Sequence, residues 1–233
     1  MLQVFLFIFI AVTSFAARAD YAEAPVRDAG SISGKILYNG RAPHPRSINV
    51  VRDATACGAT RIEDAWSVAA DGAVENVVVY LMDIKKGKKM DAPLHPVLDQ
   101  KQCHYQPHIQ VVGQHAQLQI RSSDPVLHNV HSFLDGSTVI NFSVPPGNRA
   151  LVKKLDKIGG MQLKCDIHSF MRGGIFVAEN PYYAVTREDG TYAIKDVPPG
   201  TYTIATWHEE GGPLSESVTV GPNQTLTWNG RVR

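Results

Sequence analysis

The chain has 233 residues, enough for one large or two small domains with an adequate core. Its 23 Lys and Arg nearly cancel 22 Asp and Glu, so no basic field exists to hold a nucleic-acid backbone, and nucleic-acid binding is excluded. Gly (19) and Pro (14) are too frequent for a helical bundle and too few for a low-complexity chain, which leaves strands joined by tight turns.

Residues 1–19 read as a targeting segment. The run 4–12 is unbroken and apolar, and Ala17-Arg18-Ala19 follows as a small-residue cleavage site, which predicts cleavage after Ala19. The run is shorter than the roughly 20 apolar residues a spanning helix needs. The expectation is therefore an exported, periplasmic or similarly placed chain with no membrane insertion after cleavage. Losing Arg18 leaves 22 basic and 22 acidic residues.

Beyond the leader, period-2 alternation predicts an all-β protein. Strands are expected at 31–38, 48–52, 76–82, 109–112, 116–121, 129–134, 139–144, 150–155, 161–165 and 174–178, with turns at Asn39-Gly40, Asp71-Gly72 and Pro145-Pro146-Gly147. This spacing suggests a sandwich or barrel. From Pro181 the texture changes to Asp189-Gly190-Thr191-Tyr192 and Pro198-Pro199-Gly200-Thr201-Tyr202, the mark of a second, smaller β unit. The expected organisation is 1–19 leader, 20–99 N-terminal β segment, 100–180 central domain and 181–233 terminal module. The run Lys85-Lys86-Gly87-Lys88-Lys89 reads as a solvated loop, with docking of an acidic partner as the sharper reading.

Chemistry concentrates at Cys165-Asp166-Ile167-His168-Ser169-Phe170-Met171 and at His128-Asn129-Val130-His131. A thiolate, an imidazole and a thioether within seven residues make a soft half-site that lacks the cysteines for an all-thiolate zinc cage. His128 can add a second imidazole, giving two His, one Cys and a weak axial Met, a donor set suited to copper. His131 is three residues from His128 and would face the other side of a strand, so it is left out of the set.

These two segments resemble the copper-binding segments of amicyanin and, more broadly, of the plastocyanin-like cupredoxins, over roughly residues 100 to 180. The resemblance implies a Greek-key cupredoxin sandwich with one type 1 (blue) copper. Under it His128, Cys165 and His168 are the equatorial ligands, Met171 the axial one, and Asn129 hydrogen-bonds at the cysteine sulfur. Phe170 would belong to an apolar patch around the exposed edge of His168, where a redox partner docks. Leu127 stands where amicyanin-like proteins often carry Pro. The motifs of 181–233 resemble a carboxypeptidase regulatory-like, or transthyretin-like, β module, and 31–36 resemble its first strand. The N-terminal strands then either complete that module or form an independent layer on the cupredoxin domain.

Cys57 and Cys103 remain. In an exported chain they read as a disulfide, the alternative being two separately used thiols; a second metal site using Cys103, His104 or His108 is the minor reading. His44, His95 and His115 read as surface or packing residues. The functional expectation is a non-enzymatic periplasmic electron carrier between a dehydrogenase donor and a cytochrome c or similar acceptor. The alternative is copper storage or delivery without redox turnover.

Overall fold

The computed structural model describes residues 21–63, 66–147 and 149–233, and the expected leader, 1–19, lies outside them. The described chain is all-β, its helical content a single four-residue turn, Ala54–Cys57. Its strands build two sandwiches.

In the larger one, a sheet ordered Leu151–Lys154, Gln117–Ser122, Val97–Lys101 and His104–Gln106 faces a second sheet. That second sheet is ordered Ser137–Val144, His128–Leu134, Gly159–Lys164, Arg172–Ala178 and Ile109–Gly113. Gln117–Ser122 buries every second residue, as its sequence alternation requires. Leu98, Leu118 and Ile120 from one sheet meet Val130, Ile140, Leu163 and Ile175 from the other, all 1% exposed or less. Each such side chain stabilises the fold by about 1.5–3 kcal/mol.

Two strands of this sandwich, Val97–Lys101 and His104–Gln106, escape the sequence pattern. Asp99 and Gln100 are buried in the first, satisfied in part by Arg121, whose Nε donates to Asp99, and by Ser123. Inward polar residues break the alternation on which the strand reading rests. The strand expected at 48–52 is shorter, Ser47–Asn49, and forms a hairpin with Thr60–Ile62 around the Ala54–Cys57 turn.

The smaller sandwich draws on both ends of the chain. Val78–Met82 pairs with Tyr183–Val185 and with Gly200–Trp207, which pairs with Leu214–Val220. Opposite them, Gly30–Tyr38 carries Thr191–Val197 on one edge and Thr225–Thr227 followed by Gly230–Val232 on the other. The lysine run is not a loose loop: Lys86–Gly87 pairs in parallel with Ala22–Glu23, and Lys88 Nζ reaches the Lys195 carbonyl at 3.1 Å.

Val78, Ile109, Phe176 and Ala178 join the sandwiches, with Tyr80 and Trp207 packed against them. Gly160 and Gly174 make this contact: a Cβ on either would come within 2.4 Å of the Trp207 ring. The indole lies where two side chains are missing.

Candidate metal centre

The site forms at one end of the five-stranded sheet. The antiparallel register pairs His131 with Lys164 and Lys164 with Arg172, so beyond Lys164 the chain leaves the sheet as the loop 165–171 and returns beside itself. His128, the first residue of its strand, is thereby set level with that loop. The loop is closed by Met171 N–H donating to the His168 carbonyl (3.0 Å) and Cys165 N–H to the Met171 carbonyl (3.4 Å).

Proton placement follows from the outer nitrogens. His128 Nε2 lies 2.9 Å from Asp124 Oδ2, and His168 Nε2 lies 3.1 Å from Asp53 Oδ2. An ionised carboxylate only accepts, so each neutral ring carries its proton on Nε2 and leaves Nδ1 as a bare lone pair. The two Nδ1 atoms face each other at 3.1 Å, and Cys165 Sγ is 3.9 Å from His168 Nδ1. One donor atom from each of His128, Cys165 and His168 falls within 4.8 Å of the others, and all three residues are 3% exposed or less. Lone pairs held this close repel unless a cation sits among them. Two imidazoles and one thiolate suit copper, and Cys165 is the one free cysteine in the chain to offer a thiolate.

Two backbone donors point at the sulfur. Cys165 Sγ accepts from the backbone N–H of Asn129 and of His168, each at 3.4 Å. The Asn129 bond to sulfur thus comes from its backbone; its side chain instead accepts from Asp166 N–H (3.3 Å) and donates to Asn141 and Phe142, tying the two ligand segments together. Tyr105 donates to the Asn129 carbonyl at 2.7 Å from beneath. Burial pushes its phenol well up, and the charges of Cys165 and Asp166 add to the effect. Burial lowers the His168 pKa, the charge of His128 lowers it further, and the hydrogen bond to Asp53 offsets part of this. Met171 is fully buried in the same core as Cys165.

One expectation is corrected. Phe170 is 3% exposed and His168 2%, so neither forms an exposed docking patch. The hairpin segment 47–62 lies over them: Asp53 meets the outer edge of His168, and the Arg61 guanidinium sits 5.7 Å above the Phe170 ring. This segment is fastened by a Cys57–Cys103 disulfide, whose Cys57 sulfur is 3.9 Å from His168 Nε2. A narrow cleft between 48–52 and 167–170 still leads to His168.

His131 turns to Asp166 (3.1 Å) and Thr138 (2.9 Å), away from the converging donors. Cys103, Asp124 and His128 also cluster, with the Cys103 sulfur held in the disulfide; His104 and His108 join no such cluster among the described residues. His108 instead bonds Glu209 at 2.6 Å. Sequence reading missed Asp53 and Asp124. Asp124 stands four residues before His128 and was findable; Asp53 is 115 residues from His168 and carries no local signal.

Residues 172–228 match the family described as polysaccharide lyase family 4, domain II, an fn3-type domain. The matched stretch begins at the strand Arg172–Ala178 of the larger sandwich. No curated protein is significantly similar in sequence. Among solved structures the chain is similar to a reduced amicyanin variant, at 20% identity over 36% of this chain and 82% of that one, with a TM-score of 0.33. It is similar to a purple cupredoxin from Nitrosopumilus maritimus, at 15% identity over 36% of this chain and 98% of that one, TM-score 0.31. A third similarity is to the copper-containing nitrite reductase of Thermus scotoductus SA-01, at 18% identity and TM-score 0.33; the match covers 38% of this chain and only 23% of that one. No helix among the described residues is long and apolar enough to cross a membrane.

Proposed function

We propose that the protein is an exported, non-enzymatic electron carrier built on a single copper held by His128, Cys165 and His168, with Met171 as the weak axial donor. The observation that supports this best is the pair of bare Nδ1 lone pairs, 3.1 Å apart beside a thiol that accepts two backbone N–H bonds. A copper ion bound there would supply one-electron chemistry between Cu(I) and Cu(II). The residues do the rest. Asp124 and Asp53 fix the two rings, the core excludes water, and the loop closed by Met171 limits rearrangement between the two charge states. His168 reaches the surface through Asp53, whose side chain is 29% exposed, so the hydrogen bond between them offers a route for the electron.

A second reading is copper storage or delivery, favoured by the near-complete burial of all three donors beneath the 47–62 segment. Loading with Cu(II) tests both. The expected result is one copper per chain and an intense visible band that bleaches reversibly with a mild reductant and is absent in Cys165→Ser. Rapid exchange with a small c-type cytochrome supports the carrier; a coloured protein that exchanges with no redox protein is a store. A colourless wild type that still binds copper overturns the carrier, and one that binds no copper overturns both.

A further inference from the structure

The two carboxylates that hold the ligand rings hang on one cross-link. Asp124 accepts from the N–H groups of Gln102 (2.6 Å) and Cys103 (2.8 Å) as well as facing His128. Cys103 is bonded to Cys57, and Cys57 N–H donates back to the Asp53 carbonyl at 2.9 Å, closing the turn that aims Asp53 at His168. Asp53 itself sits at φ 58°, a left-handed conformation that Asp and Asn tolerate and most residues do not. The chain thus spends an unusual backbone position, a turn and a disulfide on placing one carboxylate 3.1 Å from an imidazole nitrogen.

We infer that Asp53 is a positioning residue for the metal ligand His168, kept in place by the Cys57–Cys103 bridge, and that it biases the site toward the more highly charged Cu(II). This rests on the copper reading above. The physical cause is direct: a carboxylate on the outer N–H makes the inner nitrogen a stronger donor and adds a negative charge near the ion, and both favour the doubly charged state over the singly charged one. The contact comes from the 47–62 segment, outside the motifs that carry the ligands.

Asp53→Asn tests this cleanly, because Asn accepts the same backbone conformation and keeps a hydrogen-bonding oxygen while losing the charge. Cu(II) affinity, read by chelator competition, should fall about tenfold, with Cu(I) affinity changed little. The reduction potential should then rise by about 59 mV for each tenfold difference between the two losses. The visible band should persist. Cys57→Ser/Cys103→Ser should move the potential in the same direction although neither sulfur is a ligand. In metal-free protein, nitrogen NMR should find His168 protonated at Nε2 in wild type and tautomerically mixed in Asp53→Asn, independently of copper. Unchanged potential, affinities and tautomer in a coloured Asp53→Asn protein would overturn the inference and leave the copper reading standing. A wild type that binds no copper but has the Nε2 tautomer fixed by Asp53 would overturn the copper reading alone.

Discussion

Each sandwich buries histidines against carboxylates, and the two clusters end differently. At the candidate centre the protons of His128 and His168 are claimed from outside, and the inner nitrogens are left facing a thiol. In the second cluster, at the junction of the sandwiches, His208 is 3% exposed and Glu209 2%, and His108 bonds Glu209. There the Glu210 N–H donates to His208 Nδ1 at 3.1 Å, so the proton sits on Nε2, 3.5 Å from Glu209 Oε2. Trp66 stacks on that ring at 4.0 Å. The same residue types therefore leave unprotonated donor atoms converging in one place and form a structural clamp in the other. All three rings carry the proton on Nε2; the difference is what meets Nδ1, a second imidazole and a thiol at the candidate centre and the Glu210 N–H in the clamp.

The sharpest test of this contrast is substitution in each cluster. His128→Ala should lower copper affinity by a hundredfold or more, on the order of what removing an imidazole donor from a three-donor site costs. His208→Ala and His131→Ala should leave it within a few fold. Isothermal titration with Cu(II) and zinc decides; equal losses for His128→Ala and His131→Ala would instead place His131 on the ion.

The cross-link is of comparable size. Cys57→Ser/Cys103→Ser opens a loop of sequence separation 46, which chain-entropy reasoning values at about 4 kcal/mol. Denaturant unfolding of the copper-free protein should report that loss. Equal stability would mean that the bridge does not constrain the unfolded chain.

Gly160→Ala strikes the junction instead. Its new methyl would sit 2.1 Å from the Trp207 ring, so the indole must move, at roughly 1–3 kcal/mol. Trp207 fluorescence should shift while the copper band stays, because the change lies on the outer face of the sheet.

Acid distinguishes the clusters least strongly. Burial, foremost, lowers the His208 pKa from 6.5, with the charge of His108 adding and that of Glu209 opposing. Between that lowered value and 6.5 the unfolded chain binds a proton the folded chain refuses, so stability is full above pH 6.5 and declines as pH falls below it. Burial alone would raise the Glu209 pKa, but the His108 hydrogen bond and the charge of His208 bring it below 4.5, so its contribution is lost only lower, as pH falls through that depressed value. The thermal midpoint of His208→Gln should depend less on pH between 7 and 5 than that of wild type.

Contiguity separates what the sequence reveals from what only the structure does. Cys165, His168 and Met171 lie in one short loop, so their grouping is visible in the chain order. The all-β texture is equally plain, because strands such as Gln117–Ser122 alternate cleanly. Val97–Lys101 is hidden, since burying Asp99 and Gln100 is favourable only once Arg121 and Ser123 are alongside. The covering of His168 is hidden for a related reason: nothing near Asp53 marks it as a neighbour of a loop more than a hundred residues later. Contacts that depend on long closure have no local signature.

The pairing of Gly30–Tyr38 with Thr225–Thr227 has a consequence for biosynthesis. Ser31 and Thr225, joined through their hydroxyls, are 194 residues apart. An emerging chain makes the first of these strands early and, although its other edge can pair with Thr191–Val197 sooner, must leave this edge open until Thr225–Thr227 has been made. All of His128, Cys165, His168 and Met171, by contrast, are made before that closure. The larger sandwich can therefore fold, with its candidate metal centre complete, while the frame around it is still an open sheet edge.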